Sequence, residues 1–278
     1  MTFLKWVGGK SKSIPQIMSK IDDIPNKNSK VYYEPFLGTG IVLQNIIRKY
    51  DFAGYVASDI NPVLIATHKC IKSRLNELIE QLQRVSKDTS EKHYYNVRDS
   101  FNKLINDNKF TPYTCALFIY LNKTCFRGLY RVNGDGDFNT PYGNYKNPRI
   151  FDEEQLREIS KLYNSSKVEF RCCSYESIDY GRGNVIYLDA PYLDTFDRYS
   201  DKPFNENRDE YIDFLKRESH KGNIIILSDT NKITDYIKVY FDTKTIYLQD
   251  KINSKHPGTM RAEILADNMK WIARNHKH

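Results

Sequence analysis

The chain has 278 residues, enough for one substantial core with an inserted lobe, and with 40% hydrophobic and 28% charged residues it reads as an ordinary soluble globular protein. No apolar run approaches the roughly 18 residues of a membrane span, and no charged-then-apolar leader opens the chain, so neither a membrane span nor secretion is expected and the expected location is the cytoplasm. A net charge of +7 suits a polyanionic partner without requiring one, and five cysteines, an odd number lacking metal-ligand spacing, fit a reducing compartment and no metal centre.

The N-terminal stretch MTFLKWVGGK is apolar and then glycine-rich, and Phe3, Leu4, Trp6 and Val7 predict that it packs against the body. Ile14, Ile17, Met18 and Ile21 recur on one face of a helix. Val31 to Pro35 reads as a short buried strand, broken by the turn Phe36-Leu37-Gly38-Thr39-Gly40. Ile41 to Tyr50 reads as the following helix and Tyr55 to Ser58 as a second strand. Strand, glycine turn, helix, strand is the opening of a doubly wound α/β sheet.

From about Pro62 to Thr124 the pattern is helical, with no clear strand. Two short strand-like pieces then flank Asn133-Gly134-Asp135-Gly136, a hairpin signal. The α/β rhythm resumes near Phe151. Cys172 and Cys173, beside a predicted strand, read as packing residues and not a redox pair. Val185 to Leu188 and Ile224 to Leu227 are short apolar runs of the kind that buried parallel strands show. The expected architecture is one Rossmann-like α/β domain, residues 1–61 and 151–278, carrying an inserted helical and hairpin lobe at 62–150.

Four segments carry chemistry. The first is Glu34-Pro35-Phe36-Leu37-Gly38-Thr39-Gly40, whose glycines permit a tight turn and close approach of a ligand. No Gly-Lys-Ser/Thr follows, which argues against a phosphate-cradling loop. Asp59 ends the next strand at the spacing where an acidic residue meets ribose hydroxyls; the alternative is a helix cap before Asn61-Pro62. The second segment is Asp189-Ala190-Pro191-Tyr192, an acid, a proline-restricted backbone and an aromatic at a strand's C-terminal end, or else a plain loop turn. The third is Leu4-Lys5-Trp6-Val7-Gly8-Gly9-Lys10, two lysines, an aromatic and a glycine pair that could also be a mere tail. The fourth runs from Tyr120 to Lys146, where Lys123, Arg127, Arg131 and Lys146 alternate with aromatic residues. Such a hairpin suits phosphate contact, base reading and stacking, or is a solvated hairpin with a small aromatic core.

Taken together, in this order, the segments resemble the Dam family of DNA adenine N6-methyltransferases over nearly the whole chain. The hairpin carries the most specific part of the likeness, in Gly128, Leu129, Arg131, Asn133, Phe138, Asn139, Pro141, Tyr142 and Gly143. Leu227-Ser228-Asp229 and Arg261-Ala262-Glu263-Ile264-Leu265 are similar to late segments of the family. Two positions depart from its pattern: Ala190 stands where the family's tetrapeptide usually has proline, and Arg127 where asparagine usually precedes Gly128.

The resemblance implies a class I methyltransferase fold and methyl transfer from S-adenosylmethionine to adenine N6 in double-stranded DNA, in the sequence GATC, with no metal and no obligatory protein partner. It implies that the Asp189 carboxylate and the Ala190 carbonyl accept hydrogen bonds from the amine, and that Tyr192, following Pro191, stacks on a flipped-out adenine. The cofactor would lie against Phe36, Gly38 and Gly40, with Asp59 on its ribose, Trp6 and Lys10 at its methionine end, and Ser174 and Tyr175 beside its adenine. Lys5 would read an outer base pair, and Leu129, Arg131, Pro141 and Tyr145 the remainder. Phe126 would insert near the flipped base, with Lys123 and Arg127 on the DNA backbone. Three further readings are weighed: a catalytically impaired relative that still binds DNA, motivated by Ala190; an N4-cytosine methyltransferase, against which Asp189 speaks; and a nicotinamide enzyme, whose glycine fingerprint is incomplete here.

Overall fold

The computed structural model of the chain describes residues 2–6, 8–190, 208–229, 233, 237–249 and 260–276, the side chains at 229, 248, 249, 260 and 261 excepted. One sheet is built from β1 (Val31–Glu34), β2 (Gly54–Asp59), β3 (Val168–Cys172), β4 (Val185–Leu188), β5 (Ile224–Asp229), β6 (Asp242–Gln249) and β7 (Met260–Asp267). Its order is β3-β2-β1-β4-β5-β7-β6. β1 to β5 pair in parallel, and β7 enters antiparallel between β5 and β6. The Rossmann-like α/β architecture expected from the first 60 or so residues is present. The order reverses between β1 and β4, so the chain leaves these two strands in opposite directions and their carboxyl ends border a crevice.

Residues along the central strands alternate between two cores. Tyr32, Val185, Tyr187, Ile224 and Ile226 enter one, and Tyr33, Ile186, Leu188, Ile225 and Leu227 enter the other. Covering on both faces is why β4 and β5 read as apolar runs without alternation. The first core takes in α1 (Ile14–Asp22), α2 (Ile41–Lys49), α3 (Pro62–Ser73) and α7 (Glu153–Ser165), and the second α8 (Arg208–His220). Phe3 and Leu4 are buried in the first core, so the N-terminal segment packs as its composition predicts.

The first core continues without a break into α4 (Leu75–Val85), α5 (Glu91–Asn106) and α6 (Pro112–Thr124). α6 is buried at every position except Tyr113 and Lys123. Its start is fixed by Pro112 in the first turn and by Thr111 and Thr114, which cap each other's backbone reciprocally. α3 touches β2, β3 and α7 as well as α6, so it belongs to the layer flanking the sheet and joins that layer to the lobe. The expected hairpin lacks a regular ladder: the pairs Cys125 with Tyr142 and Val132 with Phe138 are isolated bridges. The segment is held from outside instead. Asn102 on α5 exchanges hydrogen bonds with both main-chain groups of Phe138, and the Tyr94 hydroxyl donates to Thr140 O.

Cys172 corrects the reading of the cysteine pair as packing residues. β3 is an edge strand, and its last side chain is exposed, with Cys173 half-buried and both thiols free. No described helix is long and apolar enough to cross a membrane.

Fully buried Asn268, just after β7, accepts from Ile225 N and donates to Ser219 Oγ and Asn223 O, fastening β7 to the start of β5. Asn268→Ala leaves these groups unpaired at about 1–3 kcal/mol each. Urea unfolding is expected to show a lower midpoint with an unchanged slope.

Candidate active site

The turn after β1 sits at the reversal point of the sheet. Gly38 and Gly40 have φ of +50° and +68°, a region that side-chain-bearing residues rarely adopt. A Cβ on Gly40 would also lie 3.1 Å from both His68 Cε1 and the Tyr163 hydroxyl. Asp59, half-buried at the end of the neighbouring strand β2, reaches this turn. Its Oδ2 accepts from Gly38 N at 3.1 Å and its Oδ1 from Asn61 N at 3.0 Å. Burial raises the carboxyl's pKa, and the amides of Asn61, Gly38 and Ile60 act against that rise. The cap of α3 is Asn61, whose Oδ1 accepts from Leu64 N, so Asp59 itself is not the cap. A carboxylate offers about four acceptor positions, so these three amides leave room for one further donor.

The aromatic walls near the turn also come together. Half-buried Phe36 lies 5.4 Å from Tyr175, ring centre to ring centre. Tyr175 begins a short turn of helix whose preceding Ser174 accepts from Glu176 N. Ile60, next to Asp59, is 47% exposed. Trp6 places Cδ1 3.4 Å from the Cβ position of Gly38, and its ring stacks on Tyr130 at 6.0 Å. The N-terminal segment therefore touches the glycine turn on one side and the 125–143 segment on the other.

Asp189 follows β4 directly and is 22% exposed. Its Oδ1 is 2.6 Å from Lys10 Nζ, which is itself 2% exposed and 3.3 Å from Glu263 Oε1 on β7. Lys10 also donates to Gly8 O, and the Ser13 hydroxyl donates to Glu263 Oε2 at 3.1 Å. The lysine thus lies beneath the crevice with its ammonium directed at two carboxylates. Glu34, at the end of β1, is a third buried acid. Burial lifts its pKa from 4.5 to about 8; the Tyr32 hydroxyl bonded to it opposes the rise and the charge of Asp189 adds to it. Glu34 is accordingly a neutral acid at pH 7. Tyr187 is buried beside all three acids, and its hydroxyl is 3.0 Å from Ser228 Oγ on β5. Ala190 is buried in the second core, while Pro191 and Tyr192 lie outside the described residues.

The basic and aromatic residues form a second group. Lys5 Nζ lies 4.1 Å over the Tyr145 ring and donates to Lys123 O. Lys123 donates to Thr2 O, and burial together with the charge of Lys5 lowers its pKa to about 8. Asn122 clamps this corner: it accepts from Lys5 N, and its amide donates to Lys5 O and Gly128 O. A Cβ on Gly128 would be 2.5 Å from Lys5 Cβ, and one on Gly143 would be 2.5 Å from the Tyr145 ring, so glycine at each lets these side chains pack against the loop. Phe126 is 45% exposed, and Arg127, at φ +56°, projects beside it. Arg131 is exposed, with Asn139 bonded to its Nε and one Nη. Leu129 is half-buried and Pro141 exposed, while the Pro141 carbonyl accepts from Phe126 N.

The sequence matches the D12 class N6 adenine-specific DNA methyltransferase family over residues 6–254. The type II methyltransferase M.MjaIII of Methanocaldococcus jannaschii is 36% identical over 271 residues, covering 91% of this chain and 93% of its own. The retron Ec67 DNA adenine methylase of Escherichia coli is 32% identical, covering 83% and 77%. The DNA adenine methylase of Escherichia coli K12 is 33% identical, covering 68% and 64%. The chain belongs to the D12 class of adenine-specific DNA methyltransferases.

Several residues of this crevice carry no mark in the sequence. Ser13 and His68 are polar and buried, and their partners lie up to 250 residues away, so no local spacing announces them; Glu263 and Asn122 fall within segments noted for their family likeness, without a role of their own. Glu34 had a signal, since it opens the glycine motif. Its proton gives a pH test. Between pH 4.5 and about 8 the folded chain keeps a proton that the unfolded chain releases, so stability is present below this window and falls as pH rises through it. Glu34→Gln holds no such proton. In urea melts at successive pH values the variant is expected to gain on the native chain by about 1.4 kcal/mol per pH unit across the window. A constant gap would mean that Glu34 is ionised throughout.

Proposed function

We propose that this enzyme transfers a methyl group from S-adenosylmethionine to the N6 amine of adenine in double-stranded GATC, acting on a base flipped out of the helix. The observation that carries the proposal is the meeting of Asp189 with the glycine turn at one reversal point of the sheet. Support for the donor comes from the fit of its parts to the crevice. The glycine turn has no side chain of its own to bar close approach, Asp59 retains acceptor capacity for a ribose hydroxyl, and Phe36, Tyr175 and Ile60 offer apolar surface to a purine, with Ser174 at its border. When bound, S-adenosylmethionine supplies a methyl group made electrophilic by a sulfonium sulfur.

The protein's own task is to orient and to accept. The adenine amine is a poor nucleophile because its lone pair is delocalised into the ring. An acceptor for its N–H localises that density as attack proceeds, and a preorganised acceptor does so without reorganisation cost. In this reading Asp189 is that acceptor, seconded by the Ala190 carbonyl; the roles expected of Pro191 and Tyr192 fall outside the described residues. Lys10, between Asp189 and Glu263, holds the Asp189 carboxylate at the donor's methionine end. Trp6 covers the turn.

For DNA, residues 75–150 present Lys5, Lys123, Arg127 and Arg131 beside Phe126, Leu129, Pro141 and Tyr145. Lys5 and Lys123 have backbone carbonyls and the Tyr145 ring as their described partners, an arrangement that leaves positive charge for phosphates and base edges. Asn139 fixes one edge of the Arg131 guanidinium and leaves it poised for guanine O6 and N7.

Two experiments test the reading. Incubating the enzyme with S-adenosylmethionine and unmethylated DNA, followed by nucleoside mass spectrometry and sequencing, is expected to give N6-methyladenine confined to GATC. Arg131→Ala should relax the choice at one guanine by about 1–3 kcal/mol. In single-turnover assays Asp189→Ala is expected to lose two to three powers of ten in rate. Ala190→Pro should change the rate only a few-fold, since either residue supplies the carbonyl. Restoration of an inactive native enzyme by Ala190→Pro would instead favour the impaired relative.

A further inference from the structure

Behind the glycine turn, on the side away from the crevice, three side chains from three helices form one buried net. His68 of α3 brings Nε2 to 2.9 Å from Gly38 O and Nδ1 to 3.1 Å from the Tyr163 hydroxyl of α7. Gln44 of α2 donates from Nε2 to the same hydroxyl and to Thr39 O, each at 3.3 Å. His68 and Tyr163 are fully buried, and Gln44 nearly so. The His68 ring stacks on Phe170 and takes Phe3 edge-on.

Proton placement follows from these contacts. Gly38 O only accepts, so Nε2 carries the imidazole proton. Nδ1 then accepts from the Tyr163 hydroxyl, whose oxygen in turn accepts from Gln44. Burial lowers the imidazole's pKa to about 4 although the Gly38 contact opposes this, so His68 carries no second proton near neutral pH. The ring is neutral throughout the working range of a DNA-modifying enzyme.

Gly38 is therefore gripped at both ends, its N–H by Asp59 from the end of β2 and its carbonyl by His68 from the helix that follows. Gln44 holds the next carbonyl, that of Thr39. Both carbonyls are drawn toward the core, which turns the Cα face of Gly38 toward Trp6.

We propose that His68 is a positioning residue for the methyl donor: through its Nε2–H it sets the orientation of the Gly38–Thr39 peptide, and with it donor affinity, without a part in DNA recognition. The proposal rests on the reading of the glycine turn as the S-adenosylmethionine site. Other roles for the ring are disfavoured by the surroundings. It is sealed from solvent, and among the described residues no group of three or more His, Cys, Asp or Glu could hold a metal ion.

The test compares His68→Phe, which keeps the stacking and removes both nitrogens, with His68→Gln, whose amide can donate to Gly38 O. Dissociation constants for S-adenosylmethionine and S-adenosylhomocysteine are measured by calorimetry on the full chain, beside GATC duplex binding and thermal melting. His68→Phe is expected to weaken both ligands about tenfold, the worth of one well-placed hydrogen bond. Its duplex affinity should be unchanged, and its KM for the donor should rise with little change in kcat. His68→Gln should recover part of the loss. Tyr163→Phe, which unlinks the ring from Gln44, should shift donor binding in the same direction by a smaller factor, and it keeps the test alive if His68→Phe does not fold. Native donor affinity in both phenylalanine variants overturns the proposal, as does an equal loss of donor and duplex binding. Failure of the native enzyme to bind either ligand would instead overturn the reading of the donor site.

Discussion

Lys10 brings its ammonium within 2.6 Å of Asp189 and 3.3 Å of Glu263 while 2% of its side chain meets solvent. Removing one member of a buried ionic cluster leaves uncompensated charge in a poorly solvated place, a far larger penalty than the cluster's net contribution to stability. Three distant stretches of chain are therefore bound to one another: the N-terminal segment, the end of β4 and β7. This explains why β7 matters to a crevice formed by parallel strands. Running antiparallel, it brings Glu263, in its N-terminal half, to the edge where β4 and β5 finish. Glu34 fits the same constraint from the other side, since a further ionised carboxyl next to Asp189 would raise the local charge, and it stays protonated instead.

The N-terminal segment has a second attachment. Asn122 pairs with both main-chain groups of Lys5, as a neighbouring strand would, and places Lys5 over Tyr145. One residue on, Trp6 lies against Gly38 and Tyr130. A few consecutive residues thus touch the glycine turn, the acidic cluster and the basic loop, which gives physical content to the glycine-rich and apolar opening of the sequence. Gly8, with φ +78°, supplies the bend between the Trp6 contact and the Lys10 contact.

What was legible in the sequence was local. β1, β2, β4 and β5 are short apolar runs because both sheet faces are covered, and the glycine turn is recognisable because only glycine relieves its positive φ. β6 and β7 were not legible as strands. DTKTIYLQ and MRAEILAD mix charge with apolar residues at the sheet's far edge, where one side of β6 meets solvent. The lobe's hairpin was legible as a turn, through the Asn133 side chain that accepts from the amides of Asp135 and Asp137, but not as the absence of a ladder. That absence is set by Asn102 and Tyr94 on α5, whose partners lie 36 and 46 residues away. α3 hid its role for a related reason: it is buried toward both the sheet and the lobe, so no single apolar stripe marks it.

The two departures from the family pattern fall where the structure demands least of side-chain identity. Ala190 turns its methyl into the second core, and the group it offers the crevice is a carbonyl that proline would offer equally. Arg127 bears a backbone demand, since φ of +56° and ψ of +10° suit asparagine better than arginine. Its side chain is nevertheless exposed, with the guanidinium 5.1 Å from the Phe126 ring centre. The strain is tolerable because the flanking Gly128 takes the next left-handed step at φ +68° and is packed against Lys5, so the turn is over-determined by its neighbours. Positions such as Gly40, Asp189 and Lys10 have no such latitude: each is fixed by contacts to its own side chain, or by the lack of room for one.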